Sequence, residues 1–505
     1  MTNLKISPQA EFILKTLIAG GYEAYIVGGA VRDLLLGTKK LVDYDFATNA
    51  KPEEIMKLFP ESFYENEFGT VMLTEQDLCE QAGIRGERVK GKGDSEDDEK
   101  NRIIDLAEAT KIHEALQSEL ISKQALDPTP YALRPNYEIT TYRSKELYSN
   151  FRKPEKLEWG ETIAEDLERR DFTINAIALD SNLNLIDPYN GQADLQAQLL
   201  KAVGDPEIRF QEDALRMLRA IRFSVQLNFK IAPETFAAIT RNCLLISHIS
   251  FERIRDEFMK MLKTDFPAEA IELLDETGLL EHIIPELLAS KGVEQGGHHD
   301  TDVWTHSLDA LRTCPSPDPV VRLATLLHDI SKPETQEIGA RVQGLAKKQI
   351  TFYNHEVIGA RVAKKIAERL RLSKAQQERI FTLVRFHMFY YQPQNTDASI
   401  RRFMKKVGLN NIDDILDLRE GDRLGSGARK TSWRLEEMKA RMIAQLHQPM
   451  DARDLAISGH DLMSEFKLKP GPILGKILNE LLERVLEDPQ LNEKTKLLKL
   501  ASELL

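Results

Sequence analysis

Apolar residues follow two different periods along the chain, and the change falls near residue 205. Before it, short β-branched runs such as Tyr25-Ile26-Val27 and Thr70-Val71-Met72-Leu73 alternate with helical stretches and with turns rich in Gly and Asp, which is the pattern of a mixed α/β region. Beyond Glu207, residues 213–223 and 357–370 repeat the amphipathic period of a helix. The pattern predicts an α+β fold, with a mixed β-sheet in the N-terminal part and an all-α remainder.

The length of 505 residues predicts several domains, because single cores stop growing near about 250–300 residues. We expect boundaries that give four regions, which are residues 1–205, 206–290, 291–430 and 431–505. Residues 76–136 are predicted to be an insertion in the first region. Within it, residues 85–101 are charged and nearly free of apolar side chains, and such a segment cannot bury enough surface to order itself. We therefore expect a mobile loop there.

Composition excludes several classes of protein. The chain has 68 Lys+Arg and 80 Asp+Glu, a net charge of −12, and 42% hydrophobic residues, which fits a globular protein and not a tail-driven nucleic-acid binder. The sequence has no run of about 18 apolar residues, so no membrane span is predicted. The three cysteines, Cys79, Cys243 and Cys314, are too few and too far apart for a disulfide framework. We expect a cytoplasmic protein with no membrane partner. Residues 398–445, with 11 Lys+Arg against 7 Asp+Glu, are a local candidate for binding RNA phosphates.

Two neighbouring motifs in the first region indicate phosphate chemistry. Gly28-Gly29 joins a predicted strand to a predicted helix that carries Arg32, and such a turn lets backbone N–H groups and the guanidinium approach a phosphate. Asp43 and Asp45 then point to one face of the next strand, about 7 Å apart. Paired carboxylates of this kind can hold Mg²⁺ ions, which polarise a triphosphate during phosphoryl or nucleotidyl transfer.

The order of these and later motifs resembles that of the class II polymerase-beta-like nucleotidyltransferases, the branch with tRNA nucleotidyltransferases (CCA-adding enzymes) and bacterial poly(A) polymerases. The later motifs are residues 166–176 (DLERRDFTINA), 187–195 and 212–223 (EDALRMLRAIRF), and the resemblance covers residues 22–262 and 457–489. It implies that Asp43 and Asp45 are catalytic, with Glu138 as a third acidic residue near the metals. It also implies that a second set of residues binds the nucleotide: Gly28, Gly29, Arg32, Arg170, Asp171 and Asn175, with Asp213, Arg216, Arg219 and Arg222 on the helix that reads the base.

The resemblance implies addition of C and A from CTP and ATP to the 3′ end of tRNA, without a nucleic-acid template and with release of pyrophosphate. The Phe68-Gly69-Thr70 segment is similar to CCA-adding enzymes, and a long basic C-terminal tail typical of poly(A) polymerases is missing. A poly(A) polymerase or an A-adding enzyme remains the alternative. The helices of residues 431–505 are expected to bind the tRNA.

A second group of motifs lies in the third region, where six of the 11 His fall between residues 298 and 387. Their order resembles the HD phosphohydrolases, in which imidazoles and carboxylates from several helices surround one or two divalent cations. The expected ligands, which we call the HD cluster, are His306, His328, Asp329, His355, His387 and Asp422. Asp329 is expected to be a bridging carboxylate, and the identity of the metal is unknown. His298 and His299 are expected to be bystanders.

The HD resemblance implies hydrolysis of 2′,3′-cyclic phosphates, 2′-nucleotides or phosphate ends. It also supplies a competing function of another class, a metal-dependent phosphohydrolase whose N-terminal region only binds RNA. A third possibility, a non-catalytic RNA chaperone, predicts no metal dependence in either assay.

Overall fold

The computed structural model describes residues 4–38, 43–60, 62–64, 70–74, 78, 136–143, 159–295, 301–338, 350–429 and 432–505. The chain divides into two compact units, one of residues 1–149 and 153–205 and the other of residues 150–152 and 206–505. Nearly all of the predicted insertion at 76–136 lies outside the described residues. Phe68, Gly69, His298 and His299 also lie outside them.

A mixed sheet forms the centre of the first unit, in the order β3-β4-β5-β2-β1-β6-β7. The strands are β1 Ala24–Val27, β2 Asp43–Thr48, β3 Phe63–Tyr64, β4 Thr70–Thr74, β5 Asn136–Thr141, β6 Ala178–Leu179 and β7 Leu185–Ile186, followed by β8 Leu199–Leu200. Strands β2 and β5 are parallel and the other neighbouring pairs are antiparallel. The predicted α+β class with an N-terminal mixed sheet is confirmed.

Alternation along β2 separates an apolar face from an acidic one. Tyr44 and Phe46 are buried, and the Tyr44 ring stacks on the Tyr137 ring of β5, with centroids 5.7 Å apart. Because successive side chains of a strand point to opposite faces, packing of these rings directs Asp43 and Asp45 to the other face of the sheet. The apolar residues of β2 therefore fix the direction of its carboxylates.

Helices cover this sheet, and a small core lies among them. They are α1 Pro8–Ala19, α2 Gly29–Leu35, α3 Pro52–Leu58, α4 Ile163–Glu168 and α5 Gly191–Gln196. Val27, Ala47, Tyr142 and Leu167 are among the fully buried residues of the core. This packing anchors β2, which carries Asp43 and Asp45, and also β1 and α4, which precede the Gly28-Gly29 turn and Arg170.

The second unit is mostly helical. Its helices are α6 Pro206–Glu212, α7 Leu215–Leu227, α8 Pro233–Asn242, α9 Phe251–Leu262, α10 Pro267–Glu276, α11 Leu280–Ile283, α12 Pro285–Leu288, α13 Val303–Thr313, α14 Pro319–Leu327, α15 Lys332–Thr335, α16 His355–Arg369, α17 Lys374–Phe386, α18 Asp397–Val407, α19 Ile412–Gly425, α20 Trp433–Gln445, α21 Gly459–Phe466, α22 Pro472–Glu487 and α23 Lys494–Ser502. Short strands interrupt them, namely β9 Lys230–Ile231, β10 Gln336–Ile338 and β11 Ile350–Phe352.

The antiparallel pair β10–β11 is a short exception in a region that is otherwise largely helical, as the amphipathic period predicts. Among the described helices, none combines the length and the apolar character that a membrane span requires.

Two glycines bring α19 against α13. A Cβ atom on Gly421 would lie 2.6 Å from the Ala310 carbonyl oxygen, and one on Gly425 would lie 2.5 Å from the Ala310 nitrogen. Real side chains cannot approach backbone this closely. The glycine pair, one helical turn apart, therefore permits the contact that places Asp422 of α19 beside His306 of α13.

Candidate active site and metal centre

The turn after β1 brings together three predicted site residues of the first unit. Gly28 has a φ of 71°, which glycine adopts without strain. A Cβ atom at this position would lie 2.8 Å from Arg170 Nη1 and 3.2 Å from Asp45 Oδ2. The absence of a side chain thus leaves the space in which the turn, a guanidinium and a carboxylate meet.

Hydrogen bonds connect the remaining residues predicted to bind phosphate and sugar. The buried Arg32 donates from Nη1 to Asn175 Oδ1 at 2.9 Å and from Nε to Asp33 Oδ1 at 2.7 Å. Asn175 donates from Nδ2 to Asp171 Oδ1 at 3.1 Å. Arg32, Asn175 and Asp171 therefore form one connected group.

Three carboxylates share the face of the sheet that Asp45 occupies. Asp43 and Asp45 are two positions apart on β2, and Glu138 on the parallel strand β5 lies in register with Asp45. Paired residues of neighbouring strands point to the same face. This set offers only oxygen ligands, the donor type that Mg²⁺ prefers, so the residues present fit a hard divalent cation.

The residues predicted to read the base do not form one array. Asp213 precedes α7 and accepts from Arg253 Nη2 at 2.8 Å, while Arg216 donates to Glu212 Oε2 at 2.6 Å. Arg219 lies over the Phe223 ring, 5.3 Å from its centroid.

Arg222 contributes instead to the packing of α7 against α9. It is buried and donates from Nε to Glu257 Oε2 at 2.6 Å. At about 100° per residue, Arg222 is rotated by about 120° around the helix from Arg216. The i, i+3 spacing therefore moves it away from the side of α7 that carries Arg216.

The basic stretch at 398–445 is largely engaged in pairs inside the second unit. Arg402 and Lys405 of α18 pair with Glu483 of α22, and Arg441 pairs with Asp397. Arg401 is buried and donates to the backbone carbonyl of Leu486. Much of the local positive charge therefore holds the C-terminal helices together.

The HD cluster converges on Asp329, and all six of its side chains are buried. The Asp329 oxygens lie 3.4 Å from His306 Nε2, 3.1 Å from His328 Nε2, 3.4 Å from His355 Nε2 and 3.7 Å from His387 Nε2. Asp422 Oδ1 lies 3.3 Å from His306 Nε2. Ligand atoms of His306, His328 and Asp422, and those of His328, Asp329 and His387, lie within 4.8 Å of one another.

Backbone carbonyls orient three of these imidazoles. The Nδ1 atoms of His328, His355 and His387 lie 2.7–2.8 Å from carbonyl oxygens three residues earlier in the chain. A ring that donates from Nδ1 carries its lone pair on Nε2. The buried Nε2 atoms of His355 and His387 have no hydrogen-bond partner within the described ranges, which fits a metal between these rings.

Charge in the HD cluster also favours a cation. Burial would lower the pKa of His306, but hydrogen bonds to Asp329 and Asp422 outweigh this effect and raise the pKa to about 9. Burial and the neighbouring His328 lower the pKa of His387 to about 3. Two ionised carboxylates in a buried pocket of imidazoles make a strong attractive field for a divalent ion.

A cavity of about 540 Å³ opens beside the HD cluster. Besides four cluster residues, its lining includes Lys332, Phe352, Arg419 and Arg423. Lys332 donates to Asp329 Oδ2 at 2.6 Å, and Arg419 donates to Asp422 Oδ2 at 2.6 Å. Neither Lys332 nor Arg419 is among the site residues predicted from the sequence. The spacing of Lys332, three residues after Asp329, could have predicted its contact with that carboxylate. The position of Arg419 at the cavity could not be predicted, because it depends on how α19 packs.

Comparison with known proteins identifies three family models in the chain. Residues 24–114 and 107–201 match the poly(A) polymerase head domain. Residues 228–291 match the probable RNA- and SrmB-binding site of polymerase A, and residues 357–501 match a model described as putative domain 2 of tRNA nucleotidyltransferase.

Named relatives cover different shares of the chain. A CCA-adding enzyme from Geobacillus sp. (strain WCH70) is 38% identical over 272 residues, 54% of this chain and 53% of that enzyme. The chain thus matches about half the length of this relative. An A-adding tRNA nucleotidyltransferase from Deinococcus radiodurans is 36% identical over 64% of this chain and 75% of that enzyme.

Two further comparisons extend over almost the whole chain. A crystal structure of the CCA-adding enzyme from Bacillus stearothermophilus in complex with CTP has a TM-score of 0.64 and 25% identity, over 99% of this chain and 98% of that one. The CCA-adding enzyme from Ligilactobacillus salivarius is 30% identical over 98% of this chain and 95% of that enzyme. With its sheet, its motif order and this end-to-end match, the chain belongs to the class II family of CCA-adding enzymes and poly(A) polymerases.

Proposed function

We propose that the protein is a CCA tRNA nucleotidyltransferase, which adds C and A from CTP and ATP to the 3′ end of tRNA and releases pyrophosphate. The observation that carries the proposal is the meeting of Gly28, Asp45 and Arg170 at one turn, next to the bonded group of Arg32, Asn175 and Asp171. The match to CCA-adding enzymes supports it. We place the protein in the cytoplasm.

The predicted site residues of the first unit have distinct roles in the proposed reaction. Arg32, Arg170 and the N–H groups of the Gly28-Gly29 turn bind the triphosphate, and Asp171 accepts from the sugar. Family membership implies a divalent metal; we propose that it is Mg²⁺ and that Asp43 and Asp45 would hold it, with Glu138 as a third carboxylate. When bound, it supplies charge neutralisation at the phosphates. The 3′-hydroxyl oxygen of tRNA bonds to the α-phosphorus as the bond to pyrophosphate breaks.

In the second unit, we assign base recognition to Asp213 and Arg216. A carboxylate acceptor and a guanidinium donor at the start of α7 have the functional groups that base edges require. Arg219 belongs to this group only by its place in the motif. The burial of Arg222 and its bond to Glu257 argue for a role in holding α7.

The test is incubation with a tRNA that lacks its 3′ CCA end and with labelled CTP and ATP, followed by sequencing of the products. We expect CCA ends from the native chain and from Glu168→Gln, which changes an exposed carboxylate of α4. No incorporation is expected from Asp43→Ala/Asp45→Ala. Absence of incorporation by the native chain, or full incorporation by the double variant, would overturn nucleotidyl transfer. Products that carry only A or a poly(A) tail would show that the protein is an A-adding enzyme or a poly(A) polymerase and not a CCA-adding enzyme.

A second activity is favoured by the geometry of the HD cluster. We propose that it holds a divalent metal of unknown identity and hydrolyses phosphate esters, with Lys332 and Arg419 on the cavity wall near the phosphate. The supporting observation is the convergence of four imidazole Nε2 atoms on Asp329.

Hydrolysis of a 2′,3′-cyclic nucleotide and metal content test this activity together. His328→Ala/Asp329→Ala is expected to lose both, whereas His282→Ala, a histidine of α11 outside the HD cluster, keeps both. Hydrolysis that survives in the double variant would exclude this ligand set. Hydrolysis without any nucleotide incorporation by the native chain would favour the phosphohydrolase with an RNA-binding head.

A further inference from the structure

Asp166 of α4 is a buried carboxylate that binds two consecutive arginines. Only 1% of the residue is exposed. Its Oδ1 atom accepts from Arg169 at 3.1 Å (Nε) and 2.7 Å (Nη2), and its Oδ2 atom accepts from Arg170 at 3.2 Å (Nε) and 2.9 Å (Nη2). Each oxygen therefore serves one guanidinium, and no smaller or neutral side chain reproduces both contacts.

The contact with Asp166 determines which edge of Arg170 faces the active site. Because Asp166 engages Nε and Nη2, the planar guanidinium directs Nη1 the other way. Nη1 lies 3.5 Å from the Asn175 carbonyl oxygen and 2.8 Å from the position of a Cβ atom on Gly28. Asp45 Oδ2 lies 3.2 Å from the same position.

Charge keeps this contact in place. Burial would raise the pKa of Asp166, but Arg170 and Arg169 outweigh the burial and lower the pKa to about 2. The carboxylate is ionised at neutral pH. An arginine side chain is long and flexible. A fixed ionic partner restricts its conformations before the nucleotide binds, so less conformational entropy is lost when the arginine contacts a phosphate.

We propose that Asp166 is a positioning residue for nucleotide binding, acting through Arg170, which it holds with Nη1 directed at the Gly28-Gly29 turn. This inference rests on the proposed nucleotidyl transfer. In this role, Asp166 contacts neither the nucleotide nor the metal and acts only through Arg170.

The test compares steady-state kinetics for ATP and CTP of Asp166→Asn with those of Glu168→Gln. Asparagine leaves one acceptor oxygen, so one arginine loses its partner. We expect the KM of Asp166→Asn for each nucleotide to rise by about tenfold, as for loss of a charged hydrogen bond, while kcat changes by less than about threefold. Glu168→Gln, on the exposed side of the same helix, is expected to match the native chain.

Action through Arg170 is tested by a double-mutant cycle. In an Arg170→Ala background, Asp166→Asn is expected to change the nucleotide KM by less than about twofold, because the partner is already gone. If Asp166→Asn does not fold, Arg170→Lys serves instead, because it retains Asp166 and the charge but lacks the two-pronged contact. It is expected to show the same rise in KM.

The outcomes separate the two proposals. If the native chain and Glu168→Gln add nucleotides and Asp166→Asn has an unchanged KM, the positioning role is excluded and nucleotidyl transfer stands. Equal effects of Asp166→Asn with and without Arg170, or an unchanged KM in Arg170→Lys, also exclude it. If the native chain adds no nucleotide at all, both proposals fall.

Discussion

The clearest prediction for a single residue concerns Gly28. Gly28→Ala places a methyl group 2.8 Å from Arg170 Nη1 and imposes on alanine a φ of 71° with a ψ of −136°, a sparsely populated conformation that costs about 1–3 kcal/mol. We expect nucleotide addition to fall by about 100-fold or more, since displacement of a positioned group by about 1 Å has costs of this order.

Gly37→Ala is the matched control for this prediction. Gly37 has a φ of 68°, and a Cβ atom there would meet no atom of the described residues within 4 Å. Its alanine variant also places a residue other than glycine at a positive φ, but without the contact with Arg170. Thermal unfolding is expected to show a loss of stability in both variants, with activity lost only in Gly28→Ala. Equal activities would show that Arg170 can move aside without consequence.

Asp166 gives a pH dependence of stability whose sign follows from its pKa. The folded value of about 2 lies below the ordinary value of about 3.9 in an unfolded chain. The stabilisation is therefore fully present above about pH 5 and is lost as the pH falls toward 2, by about 2 kcal/mol in total.

Urea unfolding of Asp166→Asn between pH 5 and pH 2 checks this prediction. The variant is expected to start less stable, because one of the two arginines loses its acceptor oxygen, and to lose less stability on acidification than the native chain. Glu168→Gln is expected to run parallel to the native curve. An Asp166→Asn curve parallel to the native one would contradict the lowered pKa.

For helices, the glycine contact between α13 and α19 has a consequence for the HD cluster. Gly425→Ala adds a Cβ atom 2.5 Å from the Ala310 nitrogen and 2.8 Å from its Cα atom. The helices must separate, and Asp422 moves away from His306. We expect a loss of bound metal and a destabilisation of about 1–3 kcal/mol, as for overpacked cores.

Gly475→Ala is the control, because Gly475 lies within α22 and a Cβ atom there would meet nothing within 4 Å in the part of the chain that the structure describes. This change is expected to stabilise the protein by about 0.5–1 kcal/mol with unchanged metal content. Elemental analysis and thermal unfolding of both variants provide the comparison. Native metal content in Gly425→Ala would show that Asp422 is not required.

Helices and strands with a clear periodic pattern of apolar residues were predicted best from the sequence. Strand β2 and helix α7 begin within two residues of the predicted positions because an alternating run and an amphipathic period mark them. The β10–β11 pair was missed, since a three-residue strand carries little periodicity. The direction of Arg222 was also hidden, because its partner Glu257 lies 35 residues away.

At the scale of the whole molecule, the two candidate centres offer different ligands, each from within its own compact unit. Asp43 and Asp45 supply oxygen atoms on an open strand, whereas the HD cluster supplies buried imidazoles and carboxylates. Oxygen sites of this kind bind Mg²⁺ weakly and exchange it with solvent. Imidazole-rich sites prefer transition metals and bind them more tightly. Removal of metal should therefore affect the two activities in different ways.

We expect brief treatment with a chelator, followed by excess Mg²⁺, to restore nucleotide addition fully. Hydrolysis of a cyclic phosphate is expected to survive the brief treatment, to disappear after prolonged chelation and to return with a transition metal such as Ni²⁺ but not with Mg²⁺. His328→Ala/Asp329→Ala serves as the control, because its nucleotide addition should still return with Mg²⁺ while its hydrolysis returns with no metal. If Mg²⁺ alone restored hydrolysis, the imidazoles would not be selecting the metal. If nucleotide addition required Ni²⁺ after chelation, the carboxylates of β2 would not form the Mg²⁺ site.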